Sequence, residues 1–308
     1  MFHPTLHVPD LKETVDWFER VFCRPSTVGG KSARSSYASG YNRHTDIAEV
    51  MVVSVDTKQH LINGQQPYPA VESPRLAGIG WYAENAEELY FAIRAKGIGT
   101  EAQFGQVDTG ESAPVGSFGD YVMYFTKAVD TGLRYEFISY DEDKAVTKAV
   151  TSDIRLADGW QPGQNEWDPK PDPLGISICS HHTVLTRDTP RALRLYVDVM
   201  GGEVIGTDHN VLLDCDSTYV SIADSVLEFA TPRGEESPAV TQWRGDPSLD
   251  TYYGITWLVD DVDAAAKHLA GVGVGLQSRS DTLIVVDPAD GLGVPWGFTA
   301  MPPPGDTR

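Results

Sequence analysis

The feature that most constrains the fold of this chain is an internal repeat of about 177 residues within a total of 308. Asp10 and Asp188 open similar segments and lie 178 positions apart. Gly78 and Gly254 open a second pair of similar segments, 176 positions apart. A period of this length predicts that the chain folds into two similar halves.

Each half contains two units that begin with a strand and continue into a helix. Residues 3–8 read as a strand, and Asp10 follows as a helix N-cap with Glu13 at the third helical position. The second unit begins with a strand at Gly78, and its helix ends at Gly97. Further strand-like runs follow each helix, so the sequence predicts an α+β fold of four βαβββ units.

Two of the predicted strands carry a carboxylate among apolar neighbours. Residues 46–55 read as one strand that contains Glu49 and is preceded by a polar turn at Asn42. Residues 133–140 read as another strand, which contains Glu136. Burying a carboxylate without compensation is costly, so Glu136 is expected to be exposed, paired or bound to a metal.

A change of composition separates the two halves. Residues 147–176 are rich in Asp, Pro and Gly, include Trp160 and Trp167, and show no periodicity. We interpret this segment as a linker. The predicted domains are residues 1–146 and 177–308.

Composition excludes several classes of partner. The chain has 44 Asp and Glu against 24 Lys and Arg, a net charge of −20, which argues against nucleic acid and anionic membranes as partners. We find no signal-like start and no long apolar run, so a cytoplasmic protein is expected. The three scattered cysteines argue against disulfides and thiolate zinc sites. A small molecule is the expected partner, with the chain a monomer or a homodimer.

Four such units in two tandem domains resemble the vicinal oxygen chelate superfamily, which includes glyoxalase I, bleomycin resistance proteins and type I extradiol dioxygenases. The resemblance covers nearly the whole chain outside the linker, and it is best over residues 3–22, 78–97 and 188–202. It implies that paired units form curved, cup-like sheets around one divalent metal ion, which could be Fe, Mn, Ni, Zn or Mg.

The resemblance also implies where metal ligands lie, namely at the start of the first strand and on the last strand of each unit. The residues at these positions are His3, Glu49, Glu136, His181 or its neighbour His182, and Glu228, while Gly78, Gly254 and Gly297 stand where other ligands would be. An imidazole with two carboxylates suits such a metal and leaves positions open for a substrate with two adjacent oxygens.

The residues that meet depend on how the units pair. In a glyoxalase-like exchange between domains, Glu136 would join Glu228 and His181 or His182. In a dioxygenase-like pairing within one domain, Glu136 would join His3 and Glu49. The sequence leaves both arrangements open.

Three further residues are candidate catalytic groups. His7 shares a strand face with His3 and could act as an acid or base. Tyr82 and His209 are candidate pocket residues. Trp81 and Trp257 occupy matching repeat positions and are expected to pack in the core instead.

Three functions are compatible with these observations. The favoured one is a metal-dependent lyase or isomerase that chelates its substrate through adjacent oxygens. The second is an extradiol-type ring-cleavage dioxygenase, although Gly254 stands where that family has a ligand His. The third is a metal-free binding or resistance protein, which the glycines at ligand positions favour.

Overall fold

A computed structural model describes residues 1, 3–27, 40–62, 64–116, 121–139 and 171–308 of the chain. The elements of the first half are β1 (His3–Val8), α1 (Leu11–Val21), β2 (Ser26–Thr27), β3 (Asn42–Ile47), β4 (Val50–Asp56), β5 (Arg75–Ala83), α2 (Ala86–Ala95), β6 (Thr100–Glu101), β7 (Met123–Thr126), α3 (Ala128–Thr131) and β8 (Glu136–Ser139).

The second half repeats this order. Its elements are β9 (Ile176–Leu185), α4 (Thr189–Tyr196), β10 (Glu203–Asn210), β11 (Cys215–Ile222), β12 (Ser225–Pro232), a 3₁₀ helix (Pro238–Gln242), β13 (Thr251–Val259), α5 (Val262–Gly271), β14 (Leu276–Arg279), β15 (Leu283–Val286) and β16 (Trp296–Thr299).

The two halves form two eight-stranded sheets with the same topology. The first sheet has the order β2-β3-β4-β1-β5-β8-β7-β6, and the second has the order β10-β11-β12-β9-β13-β16-β15-β14. In each unit the first and last strands pair in parallel. The two units of a sheet are joined by antiparallel pairing of their first strands, β1 with β5 and β9 with β13. The predicted α+β fold of four repeated units is confirmed.

Aspartate side chains start three of the helices. Asp10 Oδ1 accepts hydrogen bonds from the backbone N–H groups of Lys12 and Glu13 at 2.7 and 3.1 Å. Asp188 and Asp261 accept equivalent bonds at the starts of α4 and α5. Each cap satisfies N–H groups that have no partner within the helix, which is worth about 1 kcal/mol.

The helices pack against one face of each sheet, and one apolar core runs between the two sheets. Trp17 of α1 stacks on Trp296 of β16 with ring centroids 5.7 Å apart, and Trp81 of β5 lies edge-on to Tyr196 of α4 at 5.8 Å. Trp81 and Trp257 are buried in this core, as predicted. The opposite face of each sheet is therefore the one available for a site.

One predicted strand is interrupted by a turn. Residues 46–55 do not form a continuous strand, because β3 ends at Ile47 and pairs with Val50 across a tight turn at Ala48 and Glu49. Ala48 has a φ of 49°, a value that alanine rarely adopts. The turn contains no glycine or asparagine, the residues from which such a turn is usually predicted. Ala223 makes the same turn in the second half, with a φ of 51°. Asn42, expected in a turn, begins β3.

The proposed linker, residues 147–176, lies mostly outside the described residues, and so do both of its tryptophans. Its described end contacts the first domain, since Arg24 Nη2 lies 3.0 Å from Asp172 Oδ2. Among the described residues, we find no helix that combines the length and apolarity needed to span a membrane.

Candidate functional site

The strand register shows which residues are equivalent on the first strands. His3 pairs with Gly80 and Thr5 with Gly78 where β1 meets β5. His181 pairs with Thr256 in the same way where β9 meets β13. His3 and His181 therefore occupy equivalent positions in the two halves. Within each half the two units are related by symmetry, so Gly78 is the counterpart of His3 and Gly254 is the counterpart of His181, as the resemblance implied.

The register also identifies the equivalent residues on the last strands. Glu136 pairs with Gly80, Glu228 with Thr183, and Gly297 with Thr256. The residue at this position in the first unit is Val53, which pairs with Thr5. Of the predicted set, Glu136, Glu228 and Gly297 thus occupy equivalent last-strand positions.

Glu49 does not occupy a last-strand position, which corrects its predicted placement. It lies in the turn before β4, four residues ahead of Val53, because the strand breaks there. Its Oε1 accepts a hydrogen bond from the backbone N–H of Cys179 on β9 at 2.7 Å. Burial raises the pKa of Glu49 to about 7. Glu49 therefore joins the two domains and does not join His3 and Glu136.

His3 and Glu136 meet on the face of the first sheet opposite the core, which we call the first cup. His3 Nε2 lies 3.9 Å from Glu136 Oε2, so the units pair within one domain. Gly80 makes room for the imidazole, since a Cβ at Gly80 would lie 3.1 Å from His3 Nε2. Thr5 Oγ1 lies 3.1 Å from His3 Nδ1 and orients the ring.

The surroundings of Glu136 favour its protonated form. Burial raises the pKa of this carboxyl to about 7, and Arg134 opposes the rise. The Arg134 guanidinium also pairs with Glu101 and lies 3.4 Å from the centre of the Phe125 ring. The charge of Arg134 is thus shared with Glu101, and burial remains the larger influence on the pKa of Glu136.

The walls of the first cup are largely apolar and aromatic. Two small clusters flank the pair within the cup, one along β7 and β8 and the other along β4. Their members are Tyr82, Tyr121, Met123, Phe125 and Ile138 on one side and Tyr41, Met51, Val53 and Val55 on the other. Tyr82, a predicted catalytic residue, packs in the first of these clusters.

His7 is on the same strand face as His3, two residues beyond Thr5. Its ring lies 4.8 Å from that of Tyr68 in the loop before β5. Burial lowers the pKa of His7 to about 4, with Arg75 and His60 adding to the effect. His7 is therefore neutral at physiological pH and forms part of the wall.

The equivalent face of the second sheet, the second cup, contains His181 and Glu228 with Nε2 and Oε2 3.5 Å apart. The Glu228 carboxylate is buried and accepts hydrogen bonds from Thr183 Oγ1 at 2.6 Å, Ser217 Oγ at 2.6 Å and Asn210 Nδ2 at 3.0 Å. Burial alone would raise its pKa, but His181 and these donors hold the pKa below its usual value. Both oxygens are thus engaged by the protein itself.

The remaining predicted residues lie away from the two pairs. His182 faces the core, where Nδ1 is 2.5 Å from the Tyr252 hydroxyl, and burial lowers its pKa to about 3. Neighbouring strand residues point to opposite faces, so His182 cannot share a site with Glu228. His209 is exposed on β10, with Nε2 3.0 Å from Asp214 Oδ1.

Neither cup supplies a full set of ligands for a catalytic metal. Such sites usually have three protein ligands, and no group of three His, Cys, Asp or Glu is close enough to hold an ion among the described residues. The first cup supplies two, because Gly78 and Val53 occupy the other two positions. In the second cup, hydroxyl and amide donors already surround Glu228.

Comparison with known proteins identifies the fold. No protein-family model and no curated protein matches the sequence. A triple mutant of 4-hydroxymandelate synthase from Streptomyces coelicolor matches with a TM-score of 0.57 and 12% identity, covering 97% of this chain and 91% of the other. The Mn(II)-bound glyoxalase from Novosphingobium aromaticivorans matches with a TM-score of 0.54 and 14% identity, covering 96% and 80%. A halotolerant catechol dioxygenase matches with a TM-score of 0.51 and 13% identity, covering 99% and 88%.

Proposed function

We propose that the first cup binds a small organic molecule through adjacent oxygens and catalyses a proton transfer of the isomerase or lyase type. The two tandem domains have the vicinal oxygen chelate fold. The resemblance to that superfamily predicted a substrate that binds through two adjacent oxygens. The observation that carries the proposal is the pair of His3 Nε2 and Glu136 Oε2, 3.9 Å apart, in an apolar cup. A carboxyl group with a pKa of about 7 is suited to take up and release a proton at neutral pH.

Glu136 is the base in this proposal. Its ionised carboxylate removes a proton from a carbon next to a carbonyl group, and the electron pair of the C–H bond moves to the carbonyl oxygen as an enolate forms. The imidazole of His3, oriented by Thr5, faces the same space and can hydrogen-bond to a substrate oxygen. The protonated Glu136 then returns the proton to the carbon skeleton, which completes an isomerisation.

The walls support this role because they place apolar surface next to the pair and leave the Glu136 side chain 17% exposed. Phe125, Ile138 and Val53 surround it with apolar surface. A low local dielectric strengthens the hydrogen bonds to a developing enolate. His7 is neutral and bounds the same wall next to Tyr68.

A second candidate is a weakly held divalent ion on His3 and Glu136. The specific observation is their separation of 3.9 Å, which would let both atoms contact one ion at about 2.0–2.2 Å. A glyoxalase with the same fold binds Mn(II). The first cup lacks a third protein ligand, so we derive no step through such an ion. Because the third protein ligand is missing, we favour proton transfer over ring-cleavage dioxygenase chemistry. If no reaction is detected, the proposal becomes that of a binding or resistance protein.

Proton transfer is tested by hydrogen exchange. The protein is incubated in D₂O with a panel of small α-hydroxycarbonyl and 1,2-dicarbonyl compounds, and loss of the proton next to the carbonyl is followed by ¹H NMR. We expect exchange for at least one compound with the wild type and with Glu72→Gln, a charge-matched control at an exposed position. The Glu136→Gln variant should lose at least about 100-fold of the rate. Exchange that is equally fast in Glu136→Gln would refute the role of this residue.

The metal alternative is tested separately. Protein purified without chelators is analysed for bound metal and then titrated with Mn²⁺, Ni²⁺ and Zn²⁺. One equivalent of metal that is lost in both His3→Gln and Glu136→Gln would support the second candidate. Absence of such binding, together with hydrogen exchange, would support the metal-independent reaction.

A further inference from the structure

Two arginines from different domains lie near a junction between the sheets, where Gly293 closely approaches both Pro74, the residue before Arg75, and Arg244. Arg75 begins β5 of the first domain and pairs with His7 across to β1. Arg244 follows the 3₁₀ helix of the second domain. Both side chains are partly exposed.

The backbone around Gly293 brings these two residues together. Arg244 Nη2 donates a hydrogen bond to the Gly293 carbonyl at 2.7 Å. The carbonyl oxygen of Pro74, which precedes Arg75, lies only 2.3 Å from where a Cβ of Gly293 would be, and Arg244 Nη1 lies 3.9 Å from that point. Gly293 has a φ of 68°, so glycine permits both the turn and the close approach.

The two guanidinium groups are not neutralised by a carboxylate. Within the described ranges, Arg75 makes no hydrogen bond or ion pair, and the Arg244 guanidinium donates to the Gly293 carbonyl alone, while the Arg244 backbone N–H donates to Thr251 Oγ1. Burial lowers the pKa of Arg244, and the charge of Arg75 lowers it further. Two like charges that interact in this way repel each other, and a bound anion would offset that repulsion.

A hydroxyl group without a partner lies in the same part of the second domain as Arg244. The buried Tyr253 hydroxyl has no hydrogen-bond partner among the described residues. Tyr253 packs near Trp243, the residue before Arg244. Burial raises the pKa of Tyr253 to about 12, and the positive charge of Arg244 opposes the rise. A buried hydroxyl that bonds to nothing is unfavourable unless a ligand satisfies it.

We propose that Arg75, Arg244 and the Tyr253 hydroxyl form a binding subsite for an oxyanion, a carboxylate or phosphate group of a small molecule. The guanidinium groups supply several N–H donors in a geometry that matches such oxygens, and the phenol supplies one more. The subsite would be a local positive feature on a chain whose net charge is −20. It uses neither His3 nor Glu136, so it can fail without affecting the proposed proton transfer.

The subsite is tested by calorimetric titration with inorganic phosphate and with malonate, using chloride at equal ionic strength as the blank. We expect saturable binding of at least one of the two, about tenfold weaker in each of Arg75→Gln and Arg244→Gln. Tyr253→Phe should weaken binding by a smaller factor. Tighter phosphate binding would indicate a phosphate ligand, and tighter malonate binding a carboxylate ligand.

The control is Arg279→Gln, which removes the same charge from an exposed arginine paired with Asp263. It should bind like the wild type. Arg75→Gln is the decisive variant because it loses no hydrogen bond or ion pair to the described residues, so its melting temperature in chloride should not fall. Absence of saturable binding to the wild type, or equal binding by Arg75→Gln and Arg279→Gln, would overturn the proposal.

Discussion

Replacing Glu136 by Gln should stabilise the protein at alkaline pH and change little in acid. Burial raises the pKa of Glu136 from 4.5 to about 7, so the folded protein holds this proton more tightly than the unfolded chain does. Below pH 4.5 the carboxyl is mostly protonated in both the folded and the unfolded state, so its ionisation has little effect on the free energy of unfolding. As the pH rises from 4.5 through about 7, stability is lost, and the full penalty of about 3 kcal/mol applies at pH 8. A neutral Gln avoids this penalty.

The assay is urea denaturation followed by tryptophan fluorescence, performed at pH 4.5 and pH 8. The free energy of unfolding of Glu136→Gln should exceed that of the wild type by about 2–3 kcal/mol at pH 8 and by less than about 0.5 kcal/mol at pH 4.5. Glu72→Gln is the control for net charge, and its free energy of unfolding should match that of the wild type within about 0.5 kcal/mol at both pH values.

Two results would contradict this reasoning. A gain in stability that is the same at pH 4.5 and pH 8 would mean that the effect does not depend on ionisation. A loss at pH 8 would mean that the ionised carboxylate is compensated in the folded protein, for example by Arg134 or a bound cation.

Three further predictions follow from the geometry. Val53→Glu places a carboxylate at the last-strand position of the first unit and should create a site for one divalent ion per chain. Binding is measured by calorimetry with Mn²⁺ or Zn²⁺, and absence of binding would contradict the assigned register. Glu228→Gln should cost roughly 2–3 kcal/mol by urea denaturation, because buried hydroxyl and amide donors lose a charged acceptor; a neutral effect would show that the second cup does not depend on this network. Trp17→Ala should cost roughly 3–5 kcal/mol by the same measurement, since it removes the stacking on Trp296 between the domains; separate unfolding of two domains with unchanged stability would contradict the shared core.

The fold was accessible from the sequence because its signals repeat. The Asp residues that cap α1 and α4 lie at matching positions, and so do Trp81 and Trp257 in the core. A signal that recurs at a fixed period is far more specific than one that occurs once. The glycines at positions 78, 254 and 297 could be aligned with the histidine and glutamate positions for the same reason.

The site was less accessible because it depends on strand register and on contacts between distant segments. Glu49 was assigned in place of Val53 because the tight turn at Ala48 carries no turn residue, and an error of a few residues in a strand changes which side chain enters the cup. The sequence did not show which of His181 and His182 enters the second cup, because that depends on which face of β9 each side chain occupies. Arg75 and Arg244 meet through packing at Gly293, which no local pattern predicts.

The most direct test of the central claim is an NMR titration of the Glu136 carboxyl carbon in ¹³C-labelled protein, assigned with Glu136→Gln. The proposed proton transfer requires a midpoint of about pH 7, and the midpoint should move in His3→Gln because the two side chains face each other. A midpoint near 4.5 that is unchanged in His3→Gln would contradict the account.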